Sequence, residues 1–152
     1  MTFTTNETSK QALEAFRRFD VDTQLAILWF GYKDIKDQLT PANATSAQVE
    51  AESVFHSIQA LSPEEQLQAQ RDIIAGSDTD ITRAYSAMSS SSKLDIWLRL
   101  AQGMDKGTII QVPSDYQLPS ETQDFVAKIK QLDFEERINF TRSAVIDMGI
   151  KS

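Results

Sequence analysis

The chain has no cysteine among its 152 residues, which excludes disulfides, thiolate catalysis and the usual zinc or iron–sulfur ligand sets. The same absence removes any argument for an oxidising compartment. Five glycines and four prolines are too few for the turns of a many-stranded β fold. Positive charge is also scarce. Fifteen Lys and Arg against 22 Asp and Glu leave a net charge of −7, which repels phosphate backbones and makes nucleic acid a poor partner. No apolar run approaches the roughly 18 residues of a membrane span. The first residues, MTFTTNETSK, lack the apolar core and positive start of a signal peptide. A cytoplasmic protein that does not span a membrane is the simplest expectation.

What is present is an ordinary globular composition, 41% hydrophobic and 9% aromatic, over a length that suits one domain. A chain this long buries roughly 70% of the surface it exposes when unfolded, so it needs no covalent or metal staple. Residues 1–8 are polar and threonine-rich and predict a flexible arm ahead of a single helical domain over 9–152.

Start and stop signals divide that domain into eight helical segments. The first runs from about Lys10 to Phe19. Asp20 is an N-cap for Val21 to about Leu39, ended by Thr40-Pro41. Thr45 and Gln48 form a capping box for a helix through Val54, Ile58 and Leu61. Ser62-Pro63-Glu64-Glu65 opens the next, which closes near Gly76. Asp78 caps a short helix carrying Ile81, Tyr85 and Met88. The last hydroxyls of Ser89 to Ser92 cap Lys93 to Lys106, which stops at Gly107. Thr108 to Leu118 reads as an extended connection crossing the surface. Ser120 opens a helix to about Gln131, and Asp133 with Glu136 boxes the last, ending at Gly149. The fold class is all-α, built from packed bundles.

Three helices carry apolar stripes at the 3.6-residue period. The first holds Leu25, Leu28, Trp29, Tyr32, Ile35 and Leu39, and the second Leu94, Trp97, Leu98, Ala101 and Met104. The third holds Phe134, Ile138, Val145 and Met148, with Arg142 in the same row. Such stripes ordinarily mean core packing. Both tryptophans of the chain lie on them, however, and flat indole and phenol rings also suit the wall of a long conjugated ligand. Arg142 either lays its stem along apolar surface or stands at the mouth of a cavity.

Enzymatic readings are thin. His56 is the only histidine and has no metal-binding companion. Gly103 and Gly107 do not follow a strand, so a phosphate loop is disfavoured. Asp78-Thr79-Asp80 lacks the other ligands of a calcium loop. The acidic pairs Glu64-Glu65 and Glu135-Glu136 fall in first helical turns, where the macrodipole favours them. No catalytic constellation and no metal site emerges, leaving a ligand-binding helical domain or a ligand-free helical adaptor.

The segment Leu25-Ala-Ile-Leu-Trp-Phe-Gly-Tyr32 resembles the signature helix of the N-terminal domain of the orange carotenoid protein family. Arg83-Ala-Tyr85, Lys93-Leu-Asp-Ile-Trp97, Gly103-Met-Asp-Lys-Gly107, Pro113-Ser-Asp-Tyr116 and Arg142-Ser-Ala-Val-Ile-Asp-Met-Gly149 resemble it too, in the family's order and spacing over residues 10–150. The chain ends where the family's linker to a second domain would begin, so it resembles the single-domain relatives, the helical carotenoid proteins. The resemblance implies two interleaved four-helix bundles with one keto-carotenoid, such as canthaxanthin or echinenone, in an apolar tunnel between them. It implies that Trp29, Tyr32 and Trp97 wall one ring, and that Leu25, Leu28, Leu94, Ala101 and Met104 lie along the tunnel. Val112, Tyr116, Ile138, Arg142 and Val145 would add lining or rim. Gln70 stands where two-domain relatives are expected to have a methionine, and Ala101 replaces a glycine. A bound chloride is a further implication.

Photoprotection follows as the implied role, first as a singlet-oxygen quencher without light switching. Alternatives are a quencher of phycobilisome excitation energy, which would place the protein at phycobilisomes on the thylakoid membrane, and a carrier exchanging pigment with a separate homologue of the second domain.

Overall fold

The computed structural model describes residues 7–36, 48–113 and 116–149, and among these every regular element is helical. The helices are α1 (Glu7–Arg18), α2 (Val21–Ile35), α3 (Gln48–Gln59), α4 (Pro63–Ala75), α5 (Asp80–Ser86), α6 (Ser90–Lys106), α7 (Gln123–Lys130) and α8 (Phe134–Ile146). A 3-10 turn, Ser120–Thr122, precedes α7.

Most helices begin where a side chain satisfies first-turn N–H groups that have no partner within the helix. Asp20 accepts from the Thr23 amide at 2.8 Å. Ser62 with Glu65 and Asp133 with Glu136 form complete capping boxes. Two caps sit away from their expected places. The α5 cap is Thr79, whose hydroxyl accepts from the Thr82 amide, because the Asp78 carboxylate is drawn instead to the Arg83 guanidinium at 2.6 Å. In the serine run it is the first hydroxyl, Ser89, that caps, accepting from the Ser92 amide, so Ser90 to Ser92 form the first turn of α6. Glu7 and Thr8, expected in the N-terminal arm, belong to α1. Residues 1–6, the Thr40-Pro41 stop and Thr45 lie outside the described residues.

Packing sorts the helices into two four-helix bundles. In one, α1 lies on α7 and α8, and α2 faces α7 and α8 across the cavity described below. The other contains α3, α4, α5 and α6, with α3 touching all three of its companions. They are interleaved because the chain leaves the first bundle after α2 and returns to it at α7. Contacts of α6 with α8, and of α2 with α4 and α6, join the two. The first bundle centres on phenylalanines: Phe16, 1% exposed, meets Phe140 edge-on at 5.9 Å and Phe125 at 6.3 Å. Burying each ring contributes about 1.5–3 kcal/mol.

The connection after α6 is less superficial than expected. Ile109 is 2% exposed, and it packs so closely on Gly103 that a Cβ there would lie 2.6 Å from its Cγ1. The buried Gln66 amide fastens this connection: its oxygen accepts from the Ile110 amide at 2.8 Å, and its nitrogen donates to the carbonyls of Gln59, Leu61 and Thr108. With its polar atoms paired in this way, a glutamine can be buried at little cost.

A candidate apolar ligand cavity

Between the bundles lies a cavity with about 1150 Å³ of atom-free space, its open mouth included. α2 supplies Leu25, Leu28, Trp29, Phe30, Gly31 and Tyr32 to its wall. α6 faces them with Leu94, Trp97, Leu98, Ala101 and Met104. A spacing of three or four residues puts the α6 side chains on one face, and likewise Leu25, Leu28, Trp29 and Tyr32 of α2. The far wall comes from Phe125, Val126 and Ile129 of α7 and from Ile138, Phe140 and Thr141 of α8.

Nine residues singled out in the sequence therefore meet at one cavity: Leu25, Leu28, Trp29, Tyr32, Leu94, Trp97, Ala101, Met104 and Ile138. The structure places the other four elsewhere. Tyr116 stands behind the wall, its ring stacked on Phe30 at 6.3 Å and 22°. Val112 packs half-buried against the core. Val145 is fully buried, and its carbonyl accepts from the Tyr85 hydroxyl. It lies seven residues beyond Ile138, about 10 Å along the helix axis, which carries it past the cavity. Arg142 is half-buried on α8, next to the lining residue Thr141.

The α7 wall was missed in the sequence. Phe125, Val126 and Ile129 do fall at helical spacing, but no tryptophan or family motif drew attention to them. Phe30 was passed over because it stands beside the α2 stripe instead of on it.

The two tryptophans are held differently. Trp29 is half-buried, stacks on Tyr32 at 5.9 Å and 23°, and has the Lys33 ammonium 5.8 Å from its ring centroid. Trp97 is 6% exposed, and its Nε1–H donates to the Tyr85 hydroxyl at 3.1 Å.

Polar groups are few. Gln70, 3% exposed, reaches the wall from α4 while its amide nitrogen donates to the Gln66 carbonyl at 3.3 Å. Desolvation raises the Tyr32 phenol above its usual range, aided by the nearby Asp105 charge, so it stays a neutral hydroxyl. Asp34, Lys130 and Arg137 also border the cavity. Among the described residues no group of three His, Asp or Glu side chains is placed to hold a metal ion, and no helix is long and apolar enough to cross a membrane. Gly31 leaves open space where a Cβ would stand. Flat rings, aliphatic walls and sparse polar groups fit an elongated apolar molecule.

Fold and site together define an all-α protein built round an apolar cavity between two bundles. The family model for the orange carotenoid protein N-terminal domain matches residues 2–151, and the chain belongs to that family. Over 147 residues it is 33% identical to an orange carotenoid-binding domain-containing protein of Nostoc sp. strain PCC 7120, an alignment covering 96% of this chain and 86% of the relative. It is 35% identical over 135 residues to the orange carotenoid-binding protein of Synechocystis, covering 88% of this chain and 43% of that one. Among solved structures, the red carotenoid protein of Anabaena (Nostoc) sp. PCC 7120 binding canthaxanthin matches with a TM-score of 0.83 and 38% identity, over 95% of this chain and 99% of the other. OCP1 of Fremyella diplosiphon matches with a TM-score of 0.88 and 30% identity, over 97% of this chain and 47% of its own.

Proposed function

We propose that this chain holds one keto-carotenoid in the cavity and serves photoprotection as a quencher of singlet oxygen. The observation that carries the reading is the cavity itself, with Trp29 on one helix and Trp97 on the facing one, in a chain 38% identical to a red carotenoid protein that binds canthaxanthin. Leu25, Leu28, Leu94, Ala101, Met104 and Ile138 would enclose the polyene, and Trp29, Tyr32 and Trp97 would present flat surfaces to a ring. A polyene supplies low-lying excited states that accept energy from singlet oxygen. The protein's share is to desolvate, hold and orient it, with no bond made or broken.

The driving force is apolar burial. Several hundred Å² of polyene at ~25 cal/mol/Å² gives on the order of 10 kcal/mol before the costs of binding. Light switching forms no part of the proposal. The partly open cavity favours pigment carriage as a second reading.

Expression in a canthaxanthin-producing host tests the first claim: coloured purified protein is expected, and a colourless one would remove the pigment reading. With loaded protein, a shortened lifetime of singlet-oxygen phosphorescence supports quenching. An unchanged lifetime, with pigment passing to acceptor membranes, would replace it by carriage, and loss of phycobilisome fluorescence on mixing would establish antenna quenching instead.

A further inference from the structure

Trp97 does not stand alone in the cavity wall. Its Nε1–H donates to the Tyr85 hydroxyl, which donates in turn to the Val145 carbonyl at 2.5 Å. The three residues come from α6, α5 and α8, so a single phenol oxygen ties three helices together. Tyr85 is fully buried and lies outside the cavity lining. An indole nitrogen can only donate, and a phenol can both donate and accept, so the order of the chain is fixed by chemistry. Burial pushes the Tyr85 phenol far above its usual range, which keeps the donated proton in place.

The seat of Tyr85 is closed on two sides. The Lys93 ammonium lies 5.4 Å from its ring centroid and donates to the Ile146 carbonyl at 3.3 Å. Gly149, at φ 95, donates its N–H to the Ile73 carbonyl at 2.8 Å, and a Cβ on it would lie 3.1 Å from the Tyr85 ring. Turning either the phenol or the indole would strand a buried donor. Trp29, on the opposite wall, has ring contacts on an accessible surface in place of such a chain.

From this geometry we infer that Tyr85 is a positioning residue of the ligand site, fixing the plane in which Trp97 presents its indole to the cavity, with the Val145 carbonyl as anchor. What lies against that indole rests on the carotenoid reading; the hydrogen-bonded chain does not. The consequence for a conjugated ligand is direct. Its conjugation length depends on how planar its end ring is with the polyene, and a rigid indole face restricts that torsion.

Two readouts separate positioning from simple support. In pigment-free, ¹⁵N-labelled protein, Tyr85→Phe should move the Trp97 indole N–H resonance towards the position of a non-bonded indole and leave that of Trp29 in place. In protein loaded with canthaxanthin, Tyr85→Phe should change the visible circular dichroism in the same direction as Trp97→Phe, and the double variant should add nothing to Trp97→Phe alone. Should Tyr85→Phe fail to fold, the temperature coefficient of the wild-type Trp97 indole N–H decides: a small one marks a shielded hydrogen bond, a large one overturns the inference. An unmoved resonance and unchanged dichroism in a Tyr85→Phe protein that merely unfolds earlier would also overturn it. A wild-type protein that stays colourless counts against the pigment reading instead, and the indole resonance still decides the role of Tyr85.

Discussion

Trp29 on α2 and Trp97 on α6 face the same cavity, yet one is half-buried and the other is 6% exposed and hydrogen-bonded through Tyr85 to α8. The Trp29 wall is held by surfaces: a stacked Tyr32, a Lys33 stem and ammonium, and Tyr116 behind Phe30. Such contacts tolerate sliding, because dispersion and cation–π attraction vary gently with position. The Trp97 wall is held by directional bonds, which do not. One cavity thus combines a fixed face with an adaptable one.

The largest expected effect separates the two tryptophans. Trp97→Ala should lower unfolding free energy by about 3–5 kcal/mol, as large-to-small changes of buried aromatics do. Trp29→Ala should cost only the partial transfer term, roughly 1 kcal/mol. Both should lose pigment. Urea unfolding beside the visible absorbance of each loaded variant checks this, and equal destabilisation would erase the contrast.

Gly149→Ala tests the fixed wall from a distance. The left-handed backbone at φ 95 alone disfavours alanine by about 1–2 kcal/mol, and the added Cβ would lie 2.6 Å from the Ser86 hydroxyl and 3.1 Å from Tyr85. Thermal unfolding should come earlier, and Trp97 fluorescence should change while that of Trp29 does not.

Acid should act on the other wall. The Thr23 hydrogen bonds hold the Asp20 carboxyl below its usual range, so its capping contribution to α2 is present above the unfolded-state carboxyl pKa and is lost as pH falls through the lower, folded one. The cap of α6 is Ser89, which does not titrate in this range. Protection against hydrogen exchange below about pH 4 should therefore fall in α2 before α6, and Asp20→Asn should remove the difference. The smallest effect is a gain. Gly31→Ala meets nothing within 4 Å and should stabilise α2 by up to about 1 kcal/mol, read as a raised unfolding midpoint.

What was legible in the sequence was local. The capping boxes at Ser62 and Asp133, the stops at Gly76 and Gly107 and the stripes on α2 and α6 depend on neighbours within one helical turn, and they stand as expected. Asp78 failed as a cap because Arg83, five residues on, competes for its carboxylate, and Thr79 offers a hydroxyl one residue later. Long-range features were opaque. Val145 shares a helix face with Ile138, but only the packing of α5 against the end of α8 shows that its carbonyl serves Tyr85. Nothing in the spacing of Gln66 announces that its amide would reach Ile110, 44 residues away. The α7 side of the cavity depends on how the chain returns to the first bundle, which periodicity does not encode.

The most direct test of the central claim is a crystal structure of this chain loaded with canthaxanthin. The account predicts pigment between the bundles, in van der Waals contact with both Trp29 and Trp97, and with the Trp97–Tyr85–Val145 chain intact. Pigment lying on the outer surface, or an undisturbed empty cavity in coloured crystals, would contradict it.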